Sequence, residues 1–286
     1  MADSAAPAAT AANSVALAAK LSELPLGLNY RKAQAIYNDV ESTSLGGNDP
    51  KLQEAVAQGL ALCETALRQV SEQSIFSQNE LAEDVNTGDL RYLMLPFFRG
   101  ELLTRVTDQS RRVELLTEAL ACLRGFLDDL ERLQALSPEV LRSWHAAREG
   151  LGIDPATLRT LKIERFKANK QNKLRMEVLA GRLRRAGQTE EEEADGEEIE
   201  REHMQLLLAM CTHTALDSVR SCAARGRKER APEPIHPSPR SIIELIGTAP
   251  ASPPSSTAPH PPHITPPTPI VRRARPQRES AGAHPS

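Results

Sequence analysis

The hydrophobic pattern is most regular over residues 88–133. Val113, Leu116, Leu120, Leu123, Leu127 and Leu130 recur at steps of three and four, the period of a helix face packed along its whole length. Leu115, Ala119, Cys122 and Phe126 make a second apolar line beside the first. A helix that is apolar on two sides sits between neighbours, so the pattern predicts a helical stack and not a lone hairpin. The segment before it, from Asp89, reads as a helix with Pro96 in its interior. A Pro there removes one backbone hydrogen bond, so a kink is expected, with Leu93, Phe97, Leu102 and Leu103 keeping both halves packed.

The same periodicity continues on both sides. Residues 25–40 form a first helix with an incomplete stripe of Leu28, Ala35, Ile36 and Val40, and 41–50 form a loop rich in turn residues. Asp49 can cap a second helix with Pro50 at its first position. That helix carries Leu52, Val56, Leu60, Cys63, Leu67 and Val70. Ser137-Pro138 and Asp154-Pro155 repeat the same start signal. The helix from Asp154-Pro155 runs to about residue 185, anchored by Leu158, Leu161 and Phe166, and ends at Gly187-Gln188. A last helix follows an acid-rich start and places Met204, Leu207, Leu208, Cys211, Ala215 and Val219 on one side. The expectation is an all-α chain of about seven helices without strands.

Composition sets the boundaries. Fifteen of the 21 prolines lie in 231–286. Such a segment cannot bury enough apolar surface to offset its conformational entropy. We therefore expect a disordered lead at 1–13, a helical domain at 14–225 and a disordered Pro- and Arg-rich tail at 226–286. One apolar island, SIIELIG at 241–247, is a candidate short docking motif, and PPHITPPTP a candidate polyproline ligand or plain filler. The longest apolar runs are far short of a membrane span.

Charge is segregated although the net value is only −3. Residues 158–185 hold ten Lys or Arg against two acids, and 190–202 hold nine acids against one Arg. A solvated helix face is the plain reading of the basic block, and nucleic-acid binding is disfavoured by sparse aromatics and the net negative charge. The run Glu190–Glu193 reads as a solvated linker. Cys63, Cys122, Cys211 and Cys222 are scattered without a Cys-x-x-Cys pair, which suits small buried hydrophobes in a reducing compartment. His203, Cys211 and His213 do not converge on one helix face, so no metal site is expected. No paired carboxylates, nucleophile elbow or phosphate loop is present, and no cofactor is expected. A chain of this kind works by presenting a surface.

Several blocks together resemble the immunoglobulin-binding protein one family. They are IFSQNE at 75–80, DLRYLMLPFFRGEL at 89–102, SRRVELLTEAL at 110–120 and RTLKIERFKANKQ at 159–171. The resemblance spans about 24–220. It implies a tetratricopeptide-like right-handed superhelix that binds and stabilises the catalytic subunit of type 2A-like phosphatases, without catalysis of its own, in TOR-linked signalling. It further implies that an Arg and a Lys three residues apart carry much of the contact. They map onto Arg159 and Lys162, which a spacing of three places on one helix face. Residues 14–225 would then be the phosphatase-binding domain of a protein that is monomeric when free. The expected setting is cytoplasmic, with the nucleus also open, and neither nucleic acid nor membrane is an expected partner. The tail departs from the family, whose members end in an acidic, Gly-rich segment, so contacts attributed to that segment do not carry over. A helical-repeat adaptor for a different partner is the alternative, and an enzyme with an unrecognised site is a third class.

Overall fold

Three helices start where a short polar side chain precedes a proline, and each start shows the same physics. The computed structural model describes residues 19–77, 79–184 and 190–230. Helix α1 is Leu26–Ser42, directly after Pro25. Helix α2 is Pro50–Glu72, and the Asp49 carboxylate accepts the Lys51 amide at 2.9 Å. Helix α3 is Leu95–Arg105 and helix α4 is Arg112–Arg132. Helix α5 is Pro138–Arg148, capped by the Ser137 hydroxyl, which accepts the Val140 amide at 3.4 Å. Helix α6 is Pro155–Leu183 and helix α7 is Glu190–Arg230. A Pro in the first turn has no missing partner, because that N–H is unpaired in any helix.

Beside a helical stretch at 19–22, the described residues thus hold seven α-helices, one 3-10 turn at Leu90–Met94 and no strand, as the hydrophobic pattern predicts. Consecutive helices α1 to α4 pack pairwise. Helix α7 lies along α4 and also touches α3, α5 and α6. The lead at 1–13 and the tail from 231 lie outside the described residues. Residues 226–230, expected to open the tail, are the last part of α7.

One continuous core joins α1 to α5 and α7. Phe97 and Phe98 of α3 sit at its centre. Tyr37 stacks on Phe98 with ring centroids 4.8 Å apart, and Phe126 lies 5.5 Å from Phe97. Gly100 permits the close approach of α3 and α4. A Cβ there would stand 2.7 Å from the Leu123 Cγ. Helix α4 is buried on two sides as expected. Leu115, Leu116, Ala119, Leu123, Phe126, Leu127 and Leu130 are inside, while Val113, Leu120 and Cys122 are half-buried.

Four expectations are corrected. Pro96 is not in a helix interior. The chain runs as a 3-10 turn to Met94 and restarts as α3, with Pro96 in the first turn where its missing N–H does no harm. In α1 the buried face is Leu26, Asn29, Tyr30, Ala33 and Val40, whereas Ala35 is exposed and Leu28 half-buried. Asn29 can be inside because its amide donates to the Leu21 carbonyl at 2.9 Å and to the Gln69 side chain at 3.0 Å. In α2 the buried line passes through Gly59, Cys63, Ala66 and Gln69, leaving Leu60, Leu67 and Val70 at its edge. Glu190–Glu193 is not a linker but the first turn of α7.

The irregular segment between α2 and the 3-10 turn is held from α4 by Arg132, which donates to the Ser77 carbonyl at 2.8 Å, and from α7 by Arg201. The Arg201 guanidinium donates to the carbonyls of Ala82 at 2.7 Å, Glu83 at 2.8 Å and Val85 at 2.9 Å. Backbone acceptors without a helical partner are satisfied from α7 instead.

Candidate functional site

Helix α6 begins at a strong cap. The Asp154 carboxylate accepts the Thr157 amide at 2.9 Å and its hydroxyl at 3.0 Å. The amide bond is the main reason that this carboxyl is held below the usual carboxylate range. The cap needs nothing from the two basic residues that follow it.

The inner face of α6 rests on α7 through polar groups set among half-buried apolar ones. Arg165 pairs with Asp217 at 2.7 Å, and the Asn169 side chain meets the His213 Nδ1 at 2.9 Å. Arg175 pairs with Glu202. Burial, aided by the Arg165 charge, holds His213 below the ordinary imidazole range, so it is neutral at pH 7. Leu179 is the one buried apolar side chain described on this helix, with Leu158, Leu161 and Met176 half-buried.

Arg159 and Lys162 lie on the other side. Both are exposed, and among the described residues neither forms a hydrogen bond or an ion pair with an acid. The structure therefore brings the two predicted residues onto one solvent-facing surface. Phe166 does not anchor the helix. It is 72% exposed and points the same way as the basic pair, with Ile163 also exposed beside it. The reason is the register. Positions 158, 161, 165, 168, 172, 176 and 179 face α7, and Phe166 lies outside that line. The sequence signal was available in the spacing, but Arg165, Ala168 and Asn172 do not look like a core stripe, whereas Phe166 does.

The remaining chemistry-bearing residues are structural. Cys63, Cys211 and Cys222 are buried, and burial pushes the Cys63 and Cys211 thiols up to about 12. Trp144 is buried and donates to Glu131 at 3.0 Å, and His145 meets the same carboxylate at 2.7 Å. A cleft of about 550 Å³ between α4, α5 and α7 is lined mainly by Leu90, Leu93, Leu133, Val140 and Leu208. Apart from His213 and Glu83 at its margin it offers no titratable group. Among the described residues no group of His, Cys, Asp and Glu could hold a metal ion. No described helix is long and apolar enough to cross a membrane.

Comparison with known proteins agrees with this architecture. The model of the TAP42-like family matches residues 26–225. The "PP2A regulatory subunit TAP46" of Arabidopsis thaliana is 30% identical over 150 residues, covering 52% of this chain and 35% of that protein. The "Serine/threonine-protein phosphatase 4 regulatory subunit ppfr-4" of Caenorhabditis elegans is 27% identical over 160 residues, covering 53% of this chain and 48% of that protein. The chain thus aligns with between about a third and a half of the length of these relatives. The solved structure of the Tap42 alpha4 subunit superposes with a TM-score of 0.53 at 19% identity, over 70% of this chain and 96% of the other. That likeness establishes a common all-helical fold.

Proposed function

The chain belongs to the TAP42-like family, and on that premise we propose that it is a noncatalytic regulatory subunit that binds and stabilises the catalytic subunit of type 2A-like serine/threonine phosphatases. The names of its relatives support this reading, since they are regulatory subunits of two such phosphatases. We place it in TOR-linked signalling, in the cytoplasm with the nucleus also open, as a monomer until it meets the phosphatase.

One observation carries the proposal to residues. Arg159 and Lys162 stand exposed on a single helix face and, among the described residues, are committed to no intramolecular partner. A basic side chain that holds nothing in its own fold is free to hold an acid elsewhere. Arg159 offers a planar fork suited to a carboxylate, and Lys162 adds a mobile point charge one turn away.

Reversal of both charges tests the assignment. Arg159→Glu with Lys162→Asp should abolish capture of purified phosphatase catalytic subunit, because attraction to an acidic patch becomes like-charge repulsion of several kcal/mol. Helicity and Tm should stay at wild-type values, since the Asp154 cap and the contacts to α7 are untouched. Reversal of Lys173, further along the same helix, should weaken capture less. Wild-type affinity in the double variant would remove these two residues from the interface. A wild-type chain that ignores the phosphatase and retains another protein would favour the adaptor reading.

A further inference from the structure

Helix α6 carries apolar side chains on two sides. Leu158, Leu161, Met176 and Leu179 join Arg165, Asn169 and Arg175 on the side toward α7, while Ile163, Phe166, Leu174 and Val178 are exposed to water. Single exposed apolar residues are ordinary, but four of the six large exposed apolar side chains among the described residues lie on this one helix. At 3.6 residues per turn, Arg159, Lys162, Ile163, Phe166, Lys170, Lys173 and Leu174 fall within a sector of roughly 120°, over a length of about 22 Å. In this sector Ile163 and Phe166 sit one turn beyond Arg159 and Lys162, at the i+4 spacing that lets neighbouring side chains touch. Lys170 and Lys173 continue the basic flank, and Glu177 closes it.

We propose that this face is an apolar docking strip with basic flanks, and that its occupant is a segment of the phosphatase catalytic subunit in which apolar side chains lie between Asp or Glu residues. The proposal rests on the phosphatase-binding reading and adds what supplies the affinity. Charge complementarity and continuity with Arg159 and Lys162 argue for that occupant. The division of labour follows from physics. Desolvated aromatic side chains at the centre of an interface carry most of the binding energy, whereas exposed charges mainly set encounter rate and orientation. Phe166 is thus the anchor, Ile163 its neighbour, and the basic residues the guide.

Binding of the full chain to purified catalytic subunit would be followed by biolayer interferometry at low and high salt. Ile163→Ala with Phe166→Ala should weaken affinity by about tenfold or more, chiefly through faster dissociation, with Tm unchanged. Leu45→Ala removes an exposed apolar side chain on the α1–α2 loop and should have no effect. Higher salt should slow association of the wild-type chain and barely change its dissociation. Hydroxyl-radical footprinting needs no substitution. Phe166 should be oxidised in the free chain and protected in the complex. Affinity within twofold of wild type in the double variant, or a Phe166 equally reactive in both states, overturns the strip while leaving the phosphatase reading intact. A wild-type chain that does not bind the catalytic subunit overturns both. Self-association that the same double variant abolishes would put a second copy on the strip and also overturn the proposal.

Discussion

Helix α4 turns its apolar side chains inward, and α6 turns a row of them outward. The first lies between α3 and α7 and buries seven residues. The second packs chiefly on α7 and buries Leu179. Both are regular, well-started helices, so local helical order is not what separates them. The difference is the number of neighbours. A helix enclosed on two sides must give its apolar surface to the core. A helix with one neighbour can meet it through ion pairs and amides, and keep apolar surface for another molecule.

This contrast predicts opposite responses to the same kind of truncation. Leu123 is fully buried against Gly100, and Leu123→Ala should cost about 2–5 kcal/mol in a urea melt. Phe166→Ala removes a larger side chain and should change stability by no more than about 0.5 kcal/mol. Comparable losses at the two positions would break the comparison and return Phe166 to the core.

A smaller effect sharpens the description of α4. Leu120 belongs to the stripe of its sequence but is only half-buried at the edge of the core. Leu120→Ala should cost about 1 kcal/mol, well below Leu123→Ala, because part of its surface is already in water. Equal midpoints for the two alanine variants would show that the outer line of α4 is covered.

A pH-dependent effect concerns the joint between α3 and α7. Glu101 is buried, and burial raises its pKa from 4.5 to about 7, against a hydrogen bond with Ser218 that acts the other way. Glu41, Arg105 and Arg225 are the charged groups acting on it. The folded state holds this proton more tightly than the unfolded chain does. Its contribution to stability is therefore present in full below about pH 4.5 and is lost as pH rises through about 7. Glu101→Gln should flatten that part of the Tm–pH curve between about pH 4.5 and 7. An unchanged slope would mean that other groups set it.

What was legible in the sequence was local or strongly periodic. Asp49, Ser137 and Asp154 could be read as caps because a cap involves only a few residues of chain. The α4 stripe was legible because two apolar lines admit few other arrangements. That Arg159 and Lys162 share one helix face followed from their spacing, and their choice from the family resemblance.

What tertiary structure alone decided was which way each helix is rotated and which irregular groups are satisfied across the fold. Asn29 reads as a surface residue until Gln69 and the Leu21 carbonyl are brought to it. Arg201 reads as one base in an acidic block until the 82–85 carbonyls fold onto it. Phe166 reads as core until α7 takes the opposite face of its helix. In each case the deciding partner is 8 to 119 residues away in the chain. Hydrophobicity says that a side chain is better off buried, but only the positions of neighbouring elements determine whether this protein or its partner provides the cover.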